Sequence, residues 1–350
     1  MLLSKIAIRR ALTTSVVTAA VALGPLFAAV AQAVSLNGAG ATFPEPLYQR
    51  YFNAVTKKYP ELQVNYQGIG SGGGIRQLTA GSVDFAGSDT AMTDEEAAKV
   101  KQGVVFVPTA GGAVAVVYNI PGVTDLKLSR TVLPQIFAGQ ITTWNDPKIV
   151  KDNPGVTLPN QPIRLAVRAD SSGTSFIFSN ALSAMDSYFR GRVGPNRSPS
   201  WPGKPLKAKG NPGVTQIVKR TQGSIGYVEA TFAEENKLQT ATVQNKKGTF
   251  VAPTVEEANK ALSSVEFNPD FRVTFSKLGD PTDGYPITGL TWIMVYKNYP
   301  QPGEAAAVKQ MVQWMLTEGQ GLNAELGYTR IPEGVAKQIV QAVNSGVTGP

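Results

Sequence analysis

The stretch VNYQGIGSGGGIRQL, Val64 to Leu78, decides how this chain is read. It holds Gly68-x-Gly70-x-x-Gly73 behind a strand-like run and ahead of a helix-like one, which is the spacing of a dinucleotide-binding fingerprint. Asp84 and Asp89 stand about where that fingerprint wants its ribose-binding acid. The same glycines suit a second use. A helix start presents free N–H groups to a small anion, and glycine lets the anion approach. The rest of the chain separates the two uses.

Residues 1–33 read MLLSKIAIRRALTTSVVTAAVALGPLFAAVAQA, with Lys5, Arg9 and Arg10, no acidic residue, an apolar run and a final Ala31-Gln32-Ala33. This predicts a secretory signal peptide cleaved near Ala33, so that the mature chain starts at Val34. Gly24 and Pro25 interrupt the apolar run, which disfavours a retained anchor. No cysteine follows that could carry a lipid, and no later segment has the length and apolarity expected of a bilayer span. Export works against the dinucleotide reading, because soluble nicotinamide cofactors are cytoplasmic reagents.

The chain has no cysteine and no histidine. Disulfides, thiol chemistry, Ser-His-Asp triads and the common zinc and copper sites are thereby excluded, and neither a metal nor a cofactor is expected. Removing 33 of 350 residues leaves 317, enough for two domains of ordinary size. The formal charge of +8 becomes +5 once the three signal-peptide cations are gone. Lys57, Lys99, Lys127, Lys148 and Lys219 are scattered, whereas a nucleic-acid protein concentrates its cations in a stripe. No nucleic-acid partner is expected; a small anion suits this mildly basic surface.

Strand-like QVNYQG, GVVFVP, AVAVVYN, PIRLAVRA and LTWIMVYKN alternate with helix-like EEAAKVKQ and GEAAAVKQMVQWMLTEG, which predicts an α/β architecture. The Pro- and Gly-dense span from Arg192 to Gly213 predicts a long loop, and the terminal NSGVTGP a frayed tail.

Two further clusters share the chemistry of the opening stretch. GAGATFPEPLY brings Gly38, Gly40, Thr42 and Phe43 ahead of a helix expected just after Thr42, with Leu47, Tyr51 and Val55 on its apolar face. VRADSSGTSF ends a strand near Arg168 and leads through Ser171, Ser172, Gly173 and Thr174 into a helix with Phe178, Leu182 and Met185 buried. Ser71, Ser172 and Thr42 serve either as plain N-caps or as donors to an anion. Gly72, Gly73 and Gly74 favour the anion, since three glycines weaken a helix by up to ~1 kcal/mol each relative to Ala.

Asp89 follows the strand-like VDFAGS and is not needed as a cap, because Thr93 and Glu96 already form a capping box. A carboxylate beside an anion makes sense when the anion carries a proton for it to accept. Arg168 offers a fixed charge and a fork of donors; it also lies within ion-pair reach of Asp170, and both roles can hold together.

GAGATFPEPLY, VNYQGIGSGGG, VDFAGSD, VRADSSGTSF and GSIGYVE, in this order behind a signal peptide, resemble the periplasmic phosphate-binding protein of the bacterial phosphate ABC transporter. The likeness runs through GQITTWNDPKI and GYPITGLTWIMVYKN and covers nearly the whole mature chain. It implies a two-lobed type II periplasmic binding protein fold with two crossover hinge strands, near TAGGAVAVVYN and DGYPITGLTW, and phosphate in the interlobe cleft. Lobe one would be 34–112 plus 288–350 and lobe two 113–287. Phosphate would be held by Thr42, Phe43, Ser71, Asp89, Arg168, Ser172, Gly173 and Thr174, with Gly70, Gly72 and Asp170 in support. The family pattern departs at Gly72, where some relatives carry a second Ser. The resemblance further implies a non-enzymatic, monomeric periplasmic receptor that delivers phosphate to a membrane permease.

Three rivals differ in testable ways. A receptor for sulfate, molybdate or tungstate would have little use for Asp89, because those anions carry no proton at neutral pH. An exported phosphohydrolase with Ser172 as nucleophile would need a base such as Lys204, Lys207 or Lys209 in place of the missing histidine. A surface adhesion protein would not need the cradle at all.

Overall fold

The computed structural model describes residues 33–274 and 278–350, so the expected signal peptide lies outside the described residues save for Ala33. Strands β1 (Val34–Gly40), β2 (Leu62–Gly68) and β3 (Phe85–Ser88) alternate with helices α1 (Glu45–Lys58) and α2 (Ser71–Ala80). A five-residue helix α3 (Asp94–Ala98) follows, capped by the expected box in which Thr93 and Glu96 exchange bonds. The long strand β4 spans Val104–Asn119. Beyond it come β5 (Arg164–Arg168), α4 (Gly173–Met185), β6 (Leu206–Ala208), α5 (Gly210–Arg220), β7 (Ser224–Glu229), α6 (Ala230–Glu235) and β8 (Thr288–Tyr296).

These strands form one mixed sheet in the order β2-β1-β3-β8-β4-β7-β5-β6, with the short strand Gln239–Thr240 also on β4. β1 runs parallel to β2 and β3, and β5 runs parallel to β6 and β7. Between these parallel groups, β8 is antiparallel to β3 and β4. β4 serves both sides: Val104–Ala113 pairs with β8, and Val114–Asn119 pairs with β7. The change of partner falls inside the stretch expected to cross. The second expected crossing is irregular through Ile287 and becomes strand at Thr288; Val114 N–H donates to Ile287 O at 2.8 Å.

Sequence reading divided β4 into two strands because Pro108 and the Gly111-Gly112 pair punctuate it. The sheet accommodates the proline with a bulge: Ala110 faces Thr291 and Pro108 faces Trp292, leaving Thr109 as the extra residue. Thr109 then packs inward, its hydroxyl 2.8 Å from that of Tyr48.

Other expectations are corrected. The span Arg192–Gly213 is not one loop, since Leu206–Ala208 joins the sheet and α5 begins at Gly210. Pro212 occupies the first turn of that helix, where a missing N–H costs little. The C-terminal tail is pinned, because Val347 is fully buried and Thr348 exchanges backbone bonds with Lys297 and Tyr299. Helix α1 begins at Glu45, slightly later than expected, with Pro44 as its cap residue; Leu47, Tyr51 and Val55 are buried as its apolar face requires. In α4, Phe178 and Leu182 are buried and Met185 is half-buried.

The carboxyl ends of the parallel strands converge in sequence on the same short segments. Thr42 follows β1, Ser71 follows β2, Asp89 follows β3, and Asp170 to Thr174 follow β5. In open α/β sheets this edge is where ligands are held, because loops and helix starts there are free of the sheet's own hydrogen bonds.

Candidate oxyanion site

The three clusters meet. Ser71 Oγ accepts from Asp89 N–H at 3.2 Å and from Gly173 N–H at 3.1 Å, so one hydroxyl joins the loop after β3 to the start of α4. Gly72 N–H donates to Ser171 O at 3.0 Å. Thr42 Oγ1 accepts from Asn211 N–H and Nδ2, at 3.0 and 2.9 Å, and Asn211 Nδ2 also reaches Thr174 Oγ1 at 3.3 Å. Arg168 Nη1 donates to Thr174 Oγ1 at 3.2 Å. Thr42, Phe43, Ser71, Asp89, Arg168, Ser172, Gly173 and Thr174 are all buried.

The N-cap alternatives divide. Ser172 is a cap, accepting from Ser175 N–H at 3.0 Å while keeping its own proton for donation. Ser71 is the first helical residue of α2, behind Gly70, and makes no cap bond. Thr42 precedes the cap position of α1. Phe43 is placed by its ring, edge-on to Tyr328, and by its carbonyl, which accepts from Tyr328 Oη at 2.8 Å.

The glycines have neighbours of their own. A Cβ at Gly74 would lie 2.6 Å from Ala39 O, and one at Gly72 would lie 2.2 Å from Ser171 Oγ. Close packing of α2 on β1 and on the segment before α4 therefore accounts for Gly74 and Gly72 without a ligand, and the side chain of Ser171 fills the space that a second Ser at position 72 would take. A Cβ at Gly173 would fall 2.4 Å from Ser71 Oγ and 2.6 Å from Asp89 Cβ. Only glycine allows the two helix starts to come this close.

Charge is distributed unevenly. Arg168 grips Asp170 through Nε at 2.9 Å and Nη2 at 2.5 Å, and Asp170 Oδ1 also accepts from Gly210 N–H at 3.0 Å. Burial alone would raise the Asp170 carboxyl, but the Arg168 hydrogen bonds and charge outweigh it and hold the group below its ordinary value. Asp89 has no such partner. Burial is its largest influence and pushes it up to about 7, against the lowering effects of Thr291, Arg168, Ser71 and Thr174. Thr291 Oγ1 donates to Asp89 Oδ1 at 2.9 Å. Glu45 is raised by burial, offset by a Gly68 backbone bond and the Arg168 charge.

Chemically, the assembly offers a fixed cation, hydroxyl donors and those first-turn N–H groups of α2 and α4 that Ser171, Ser71 and Ser172 do not already take, and the helix dipoles add partial positive charge. One acceptor, Asp89, stands among them. Among the described residues no group of three or more acidic side chains is placed to hold a metal ion. No helix among them is long and apolar enough to cross a membrane.

Sequence reading missed Asn211, which binds both Thr42 and Thr174, and Thr291, which holds Asp89. It also gave no role to Glu229 within the quoted GSIGYVE. Asn211 was hidden by the apparent loop, although a polar residue at a helix start behind a strand is itself a signal. Thr291 sits in an apolar strand with nothing in its local pattern to mark it.

Residues 28–318 match the family model described as a PBP superfamily domain, which sets the class. A phosphate-binding protein PstS of Pasteurella multocida (strain Pm70) is 38% identical over 316 residues, spanning 89% of this chain and 91% of that protein. One from Xylella fastidiosa (strain Temecula1) is 36% identical over 315 residues, 88% of this chain and 84% of that protein. This chain belongs to the PstS family of phosphate-binding proteins. A solved structure of a high-affinity periplasmic phosphate-binding protein, PfluDING, superposes with a TM-score of 0.74 at 23% identity, covering 91% of this chain and all of the other. The fold is that of the type II periplasmic binding proteins.

Proposed function

We propose that this protein binds inorganic phosphate in the periplasm and hands it to the membrane permease of a phosphate ABC transporter. It is a monomeric receptor in this reading, exported with residues 1–33 removed. The protein is a binding protein rather than an enzyme. Thr42, Phe43, Ser71, Asp89, Arg168, Ser172, Gly173 and Thr174 hold the anion, while Gly70, Gly72 and Asp170 support them. The single observation that carries the reading is the pairing of a buried, oriented guanidinium with a buried, unpaired carboxyl in one network.

Arg168 supplies charge to any oxyanion; Asp89 supplies selection. Asp89 accepts the proton that phosphate retains at neutral pH, and sulfate has none to give. A site built around a hydrogen bond rejects a ligand that lacks it far better than shape alone could. Lobe one is taken as 34–112 plus 288–350 and lobe two as 113–287, so that Thr42, Phe43, Ser71 and Asp89 face Arg168 and the 172–174 triplet. The partner exchange along β4 supports that division.

The test is calorimetry on protein stripped of phosphate, in excess chelator. One-to-one saturable binding of phosphate, with sulfate at least tenfold weaker, is expected. Equal uptake of sulfate would overturn the role of Asp89, and loss of binding with chelator would overturn the metal-free cradle.

A further inference from the structure

Behind the site lies a second buried carboxyl. Glu229 ends β7 and caps α6, fully buried, and it takes part in no ion pair among the described residues. Its Oε2 is 2.9 Å from Tyr328 Oη, and its Oε1 is 3.2 Å from Thr231 Oγ1. Each of those hydroxyls also touches a backbone carbonyl. Tyr328 Oη lies 2.8 Å from Phe43 O, and Thr231 Oγ1 lies 2.6 Å from Leu326 O.

A count of protons decides what this means. Two hydroxyls bring two protons to four oxygen–oxygen contacts. A carbonyl only accepts, so Phe43 O and Leu326 O, which make the shorter contacts, claim both protons. The Thr231 N–H reaches both Glu229 oxygens, at 3.1 Å each, but toward the two hydroxyl oxygens the carboxyl then faces no proton. An ionised Glu229 could recruit the hydroxyls only by leaving the carbonyls lone pair against lone pair. One more proton on the carboxyl satisfies the Tyr328 contact as well.

We propose that Glu229 carries its proton in the folded protein at neutral pH and acts as a positioning residue, donating to Tyr328 so that Tyr328 donates to the Phe43 carbonyl. The direction of that relay fixes the Phe43-Pro44 peptide at the mouth of α1. Glu229 N–H also donates to Asn211 Oδ1 at 3.0 Å, which turns Asn211 Nδ2 toward Thr42 and Thr174. One residue therefore orients both halves of the cradle from behind. The link to phosphate rests on the function proposed above; the proton itself does not.

The surroundings agree. Burial is the largest influence on Glu229 and pushes it up to about 8, against the bonds from Thr231 and Tyr328, while the Glu235 charge on α6 adds to the rise. Tyr328, the titratable group facing it, is itself raised by burial and by the Glu229 charge. From β4 the facing residue is Val114, and from α5 the neutral Asn211.

Difference infrared spectroscopy of phosphate-free wild type against Glu229→Gln reads the proton directly. At pH 7 the expected difference is a carboxylic-acid C=O band that fades in alkali. A carboxylate band there instead would overturn the proposal. Calorimetry reads the positioning role. Between pH 7 and 9 wild-type phosphate affinity should fall several-fold more than that of Glu229→Gln, because the carboxyl gives up its proton over that range and the amide has none to lose. Parallel decline of the two proteins would overturn that role. Tyr328→Phe removes the relay and should weaken phosphate several-fold at pH 7; unchanged affinity there would also overturn it. Absence of phosphate binding in wild type at pH 7 would sink the phosphate reading, and the infrared band would still decide the proton.

Discussion

Asp89 and Asp170 sit in one buried network, yet their surroundings drive them in opposite directions. Asp170 receives two guanidinium N–H groups and a backbone N–H, and it is held ionised. Asp89 receives the Thr291 hydroxyl and feels Arg168 only at a distance, so burial raises it to about 7. The difference teaches how one site serves two tasks. The ion pair aims a cation without surrendering its charge, and the lone carboxyl stays free to exchange a proton with whatever enters.

The largest effect should come from breaking the paired side. Arg168→Ala withdraws a charge-assisted bond from a desolvated anion, ~1.5–3 kcal/mol or about tenfold to a hundredfold in affinity. It also strands Asp170, whose side chain is only 12% exposed, so the ligand-free protein should lose roughly 3 kcal/mol or more. Adding Asp170→Asn should recover much of that stability and none of the phosphate affinity. Recovery of both, in denaturation and calorimetry run side by side, would show that Arg168 never touches the ligand.

Next in size is the seam between the two sides. Gly173→Ala drives a methyl into Ser71 Oγ and Asp89 Cβ, an overpacking worth about 1–3 kcal/mol. Much of it should appear as weaker phosphate binding, because the helix starts must part to relieve it. Unchanged affinity in a titration would mean that their approach is irrelevant to the ligand.

Asp89→Asn sharpens the comparison from the other side. The amide can donate as well as accept, so the phosphate-to-sulfate ratio should shrink by about tenfold, within the ~1–3 kcal/mol of an unmatched buried acceptor. Competitive titration at equal ionic strength measures it; an unchanged ratio removes Asp89 from selection.

A last effect falls on stability against pH and leaves the affinity aside. Asp89 is raised from 3.8 to about 7, so its contribution to the ligand-free protein is complete below pH 3.8 and lost as pH climbs through about 7. Asp170 is lowered, so its contribution is present above pH 3.8 and lost as pH falls through its depressed value. Melting curves should show Asp89→Asn flattening the decline toward neutrality and Asp170→Asn flattening the acid limb. If the two variants exchange these effects, the assignment of the carboxyls is reversed.

Much of this was legible in the sequence, for identifiable reasons. Residues that follow a strand and open a helix announce themselves through local pattern, so Thr42, Ser71, Arg168 and Ser172 to Thr174 could be singled out one by one. What joins them was less visible. Asn211 and Glu229 act across long sequence separations, and no local periodicity encodes a partner 169 or 99 residues away. Gly72 to Gly74 have a second reason to be glycine that the sequence hid, since Ser171, Ile69 and the backbone of β1 crowd the space where their side chains would stand. β4 was divided because a bulge around Pro108, which preserves the strand, requires the partner strand to be known.

The shared strand also sets an order of events. β3 and the first half of β4 both wait for β8, with Ser88 facing Trp292 across roughly two hundred intervening residues. The segment from Val114 to Ile287 leaves and returns at one hydrogen bond, and its β5, β6 and β7 find one another over far shorter spans. Nearby pairings form first. β1, β2 and β3 also pair over short spans. But β3 and the first half of β4 must keep open edges until the chain beyond Thr288 arrives, so the joining of the two parallel groups through β8 is expected last.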